Sequence, residues 1–168
     1  MPTSTEVALA TTVLSASAAK ITFSSISGSY TDLRLVLKGT TDAAGNQFEL
    51  TFNGVTTGTT YSKTHLYGSA ATGTAVSGSS SSDSKILLDQ SVQQTSAPFL
   101  ITVDIFGYAG STYKTVLATA NEANTVASSY VNLATGLWRN TAAITSLRLN
   151  AAGGNFTAGT VATIYGIL

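Results

Sequence analysis

Apolar and polar residues alternate with a period of two along most of this chain. In Asp32-Leu33-Arg34-Leu35-Val36-Leu37-Lys38 the three leucines fall on one side of an extended strand. Asp32, Arg34, Val36 and Lys38 fall on the other, so the stretch predicts a half-buried antiparallel strand. Phe48, Leu50 and Phe52 alternate in the same way with Gln47, Glu49 and Thr51, and Asn53-Gly54, a strong turn signal, follows. Phe99, Ile101, Val103 and Ile105 line one face of a run that starts after Pro98, where a missing N–H is tolerated. Further strands are predicted at 7–14, 20–23, 61–67, 85–88, 113–119, 130–138 and 144–149. The chain closes on Thr160-Val161-Ala162-Thr163-Ile164-Tyr165-Gly166-Ile167-Leu168, which should lie in one sheet with the strand of Leu33.

Turn residues mark loops at 39–46, 107–110 and 151–154. The stretch 69–84 contains Gly78-Ser79-Ser80-Ser81-Ser82 and reads as a mobile surface loop of low complexity. The alanines of 118–129 could suggest a helix. Their Thr, Asn and Ser neighbours are poor helix formers and no stripe of period 3.6 accompanies them, so strand and loop are predicted. About ten short strands without a helix predict an all-β fold, an antiparallel β-sandwich of jelly-roll type, as a single domain over residues 1–168.

Composition narrows the function classes. Charged residues make up 10% of the 168, eight basic and eight acidic. That balance lacks the basic stripe of a nucleic-acid binder and the polybasic segment of a membrane-surface protein. The chain has no cysteine, which excludes disulfides and thiolate metal sites. Residues 7–19 are fairly apolar, but Glu6 stands where a signal peptide needs positive charge. They read as a first strand, with a signal peptide as the alternative.

No reactive constellation emerges. His65 is the one histidine and has no nucleophile elbow to serve; it reads as a strand residue on an outer face. One histidine and no cysteine leave zinc without ligands, and Asp42, Asp83 and Asp89 match no calcium-loop spacing. A carboxylate pair of glycosidase type could assemble only from distant strands. The reading is a non-enzyme without cofactor. Asn155-Phe156-Thr157 matches a glycosylation sequon and reads as a turn. Trp138, Tyr61, Tyr67, Tyr108 and Tyr113 could stack on sugars or fill a core. Tyr67, Tyr108 and Trp138 are the candidate ligand or partner contacts.

Several segments in order resemble a family of bacteriophage virion structural proteins. They are Ile21-Thr22-Phe23-Ser24-Ser25-Ile26, Tyr30-Thr31-Asp32-Leu33, Phe52-Asn53-Gly54, His65-Leu66-Tyr67-Gly68, Gly107-Tyr108-Ala109-Gly110 and Ile164-Tyr165-Gly166-Ile167. The resemblance implies a jelly-roll domain on a capsid, tail or fibre surface and brings no catalytic residues. It implies a virion-surface location, with the major capsid protein or a tail or fibre protein as partner. A homo-oligomer, expected as a trimer, fits such positions. The first expectation is a capsid decoration or cement protein. The alternative is a tail- or fibre-associated adhesin that binds a host surface glycan, and a depolymerase is the third.

Overall fold

The computed structural model describes residues 5–44, 47–69, 73–89, 97–123 and 129–168. Among them are twelve strands and no helix. The strands are β1 (Glu6–Val13), β2 (Lys20–Phe23), β3 (Asp32–Gly39), β4 (Gln47–Phe52), β5 (Tyr61–Ser69) and β6 (Thr74–Asp83), followed by β7 (Ile86–Leu87), β8 (Phe99–Phe106), β9 (Lys114–Ala123), β10 (Ser129–Trp138), β11 (Leu147–Ala152) and β12 (Val161–Ile167). They form two antiparallel sheets, a β-sandwich. The large sheet has eight strands in the order β1-β12-β3-β8-β9-β10-β5-β6, and the small sheet has four in the order β2-β11-β4-β7.

The pairings describe a rolled ribbon. β1 pairs with β12, β2 with β11, β3 with β8, and β4 with β7. The hairpins β5–β6 and β9–β10 are additions to this ribbon, and both widen the large sheet beyond β8.

The period-two pattern sets what is buried. Leu33, Leu35 and Leu37 of β3 stand opposite Ile105, Val103 and Ile101 of β8, and all six are buried. Ala162 and Ile164 of β12 continue that face. From the small sheet, Phe48, Leu50 and Phe52 lie beside Ala151, Leu149 and Leu147, with Ile21 and Phe23 at the edge. The rings of Phe48 and Phe99 join the two sheets at 4.5 Å. As expected, β3 and β12 are neighbours in one sheet.

Asn53 and Gly54 both take positive φ, 50° and 70°, in a turn closed by Val55 N–H donating to the Phe52 carbonyl at 2.9 Å. The turn carries the chain from the small sheet to the large one. It also clamps a neighbour. Asn53 Oδ1 accepts from the amides of Thr145 and Ser146 at 2.9 and 3.1 Å, and its Nδ2 donates to the Ala143 carbonyl at 2.8 Å.

Three expectations change. Most of 69–84 is no loop: Thr74–Asp83 is a ten-residue strand paired with β5. Serine and glycine show no apolar alternation, so the pattern was silent, while the open edge of β5 offered the pairing. The strand predicted at 144–149 starts at Leu147 and runs through Ala152, into the predicted turn. Its Asn150, Ala151 and Ala152 pair with Glu49, Phe48 and Gln47 of β4, which overrides weak local propensity. His65 faces inward, because its partners are the inward Ala134 of β10 and Gly78 of β6.

Candidate docking surface

The three aromatics expected as contacts divide. Trp138 is fully buried, its ring 5.5 Å from Phe52 and 6.5 Å from Tyr61, so it is core and presents nothing to a ligand. Tyr108 is also fully buried. Its hydroxyl donates to the Ser27 carbonyl and accepts from the Tyr30 amide at 3.4 Å, which fastens the turn before β3. Burial raises its pKa. Both are corrections with one cause: each residue sits at an inward position, where the large ring fills core volume. Tyr67 alone stays half-buried, with its ring stacked 6.4 Å from His65. The structure therefore does not bring the three together as a site.

What it does assemble is the outer face of the large sheet. Antiparallel register places side chains in rows across it. One row reads Leu66, Leu133, Thr119, Thr102, Val36, Thr163 and Thr11 from β5 to β1. A second reads Gly68, Val131, Asn121, Leu100, Lys38, Val161 and Val13. A third includes Thr64, Thr135, Leu117, Asp104 and Arg34. Val131 is 64% exposed, Leu66 53% and Leu133 43%, so these aliphatic residues face water. Single exposed apolar residues are ordinary; adjacent ones on one face are not.

Charge is unevenly spread over this face. Toward β1, Arg34 Nε donates to Asp104 Oδ1 at 2.7 Å, and Arg34 Nη1 lies 3.8 Å from Glu6. Donating this hydrogen bond to Asp104 raises the Arg34 pKa. On β9, β10, β5 and β6 the outward positions are Thr, Ser, Asn, Ala, Gly, Leu and Val, with no charged side chain among those described. A groove of about 470 Å³ crosses these strands, where Ser62, Thr64, Ser79, Thr115 and Thr135 alternate with apolar surface that includes Leu137. The outer face of the small sheet differs. There Glu49 takes a 2.5 Å ion pair from Lys85 and a 2.8 Å hydrogen bond from Asn150, among Lys20 and Arg148.

Two cations hold the frame beneath, Lys114 buried and Arg139 half-buried. Lys114 is fully buried and its ammonium donates to the carbonyls of Gly110 at 2.7 Å, Thr112 and, at 3.3 Å, Thr141. Arg139 donates to the carbonyls of Thr59, Tyr61 and Ser81, which ties the end of β6 to β5. Neither stands out in the sequence, because a lone Lys or Arg beside a turn looks solvated. The strict alternation Lys114, Val116, Ala118 and Ala120 was the available signal for Lys114.

His65 Nδ1 is buried without a hydrogen-bond partner. Burial first, and the charge of Lys63 second, lower the His65 pKa. Its ring lies over Gly78, where a Cβ would stand 2.6 Å from the His65 Cε1. Only glycine leaves room for that ring.

No protein-family model matches this chain, and no curated protein sequence matches it.

Proposed function

We propose that this chain is a non-enzymatic structural protein on the outer surface of a phage virion, a capsid decoration or cement protein. One observation carries the reading: the broad outer face of β9, β10, β5 and β6, uncharged at its described positions and studded with Leu66, Leu117, Val131 and Leu133. Contiguous exposed aliphatic groups rimmed by hydroxyls suit docking on another protein. The small sheet's charged face would then meet solvent. We read the rolled ribbon of eight strands as jelly-roll winding, the fold that the virion resemblance implies, with two hairpins added to widen the docking sheet. The partner is the major capsid protein or, second, a tail or fibre protein. A protein that binds only the assembled lattice adds its binding free energy to that lattice and stabilises it by mass action.

Electron microscopy of particles made with and without the protein tests this. Density on the capsid lattice, and breakage at lower temperature without the protein, is the expected result. Density confined to the tail tip with lost host adsorption would replace decoration by the glycan-binding adhesin. Cleavage of a host polysaccharide by the purified protein would overturn both.

A further inference from the structure

We propose that β6 is a pairing edge: two copies of this chain join antiparallel along Thr74–Ser80, so that one sheet runs through both. Among the described residues the two sheets have four edges, β1 and β6 in the large sheet and β2 and β7 in the small one. An open edge presents unpaired N–H and C=O groups, and proteins that stay apart guard it by shortness, charge, proline or a bulge. β7 has two residues. β2 has four and begins with Lys20. β1 begins with Glu6 and is bulged between Ala8 and Ala10. β6 spans ten residues, and Thr74-Ala75-Val76-Ser77-Gly78-Ser79-Ser80 has no charge, no proline and no register shift. The irregularity comes only after Ser80, where the Ser81 carbonyl is already taken by Arg139.

The occupant is a second copy for reasons of symmetry and charge. An antiparallel ladder is its own image under a two-fold axis perpendicular to the sheet, so a strand can serve as its own partner. Such pairing sets each residue against a near-identical stretch, and any charge there would meet a like charge. β6 has none until Asp83, which lies past the pairing stretch and is held by Lys63 of its own chain at 2.9 Å. The side chains are small, and the His65 ring over Gly78 occupies the inner face and leaves the edge itself open. The pair would place two uncharged outer faces side by side as one surface. Its role there rests on the docking reading above, but pair formation is read from the purified chain alone.

Ser77 and Ser79 point outward, opposite the exposed Leu66 and Thr64, so charges placed there leave the core untouched. Sedimentation equilibrium of the native chain should give twice 17.1 kDa, falling toward 17.1 kDa on dilution. Ser77→Lys/Ser79→Lys and Ser77→Glu/Ser79→Glu should each halve the mass while keeping the native circular dichroism. An equimolar mixture of the two should restore the pair, because the charges that approach one another across the centre of Thr74–Ser80 are then opposite. In the native chain, amide exchange at 74–80 should slow as concentration rises. A native chain that is monomeric at every concentration overturns the proposal. So does a three-fold mass, the trimer expected from the resemblance, or a pair that both charged variants leave intact. Concentration-independent exchange at 74–80 overturns it even if a variant fails to fold.

Discussion

Phe52 shows how one side chain serves both sheets. It is fully buried, and its ring lies 5.5 Å from Trp138 and 6.3 Å from Tyr61 across the sandwich. The Tyr61 hydroxyl accepts from the Phe52 amide at 2.9 Å and donates to the Val55 carbonyl at 3.0 Å, so the ring cluster also fixes the turn. Phe52→Ala should cost about 3–5 kcal/mol, the transfer term plus the cavity left behind, as measured by chemical denaturation. His65 yields a pH dependence. Its folded pKa is lowered by burial and by Lys63, so the unfolded chain takes up the proton first. The His65 contribution is therefore present above the unfolded value of about 6.5 and is lost as pH falls through that value toward the folded one. The melting temperature should drop between about pH 7 and about pH 5, and His65→Gln should flatten that part of the profile. An unchanged slope in His65→Gln would assign the loss to other groups.

At the scale of elements, the two added hairpins depend on close approach. Gly136 of β10 faces Ile86 of β7, and a Cβ there would stand 2.7 Å from two carbons of the Ile86 side chain. Ile86 is itself fully buried, so it has little room to give way. Gly136→Ala should destabilise by about 1–3 kcal/mol through overpacking. Ile86→Ala in the same chain should recover part of that loss, a coupling that a double-mutant cycle on denaturation midpoints would measure. β6 depends on a similar fit, with Gly78 beneath His65 and the Ser82 hydroxyl donating to the Gly58 carbonyl at 2.7 Å. A serine run can be a strand here because its partner β5 and these local ties supply what its own side chains lack.

At the scale of the whole molecule, the two outer faces are chemically different. The large sheet offers hydroxyls and aliphatic groups, with its charges gathered toward β1; the small sheet offers Lys20, Glu49, Lys85 and Arg148. Docking through the first should resist salt, because uncharged contacts are barely screened even where the Debye length is about 3 Å at 1 M salt. Retention on particles through a salt gradient checks this. Release at moderate salt would point to the charged face. Leu133→Lys, which puts a charge into the centre of the uncharged rows, should weaken retention without altering the fold, since Leu133 is already in water.

The class of fold and most of the core were legible in the amino-acid pattern. Alternation in β3, β4 and β8 announced which of their residues turn inward, because period two is a property of the extended backbone and needs no partner. It also placed β3 and β12 in one sheet. Tertiary structure alone decided the rest. Whether a ring is core or contact depends on what covers it, so Tyr108 looked the same as Tyr67 until the tertiary structure was in place, while core filling was already the stronger reading for Trp138. β6 was illegible because its pairing comes from β5 and not from its own pattern. The candidate surface was hidden for a related reason. Leu66, Val131 and Leu133 are far apart in the chain or isolated among polar neighbours, and only strand register sets them side by side.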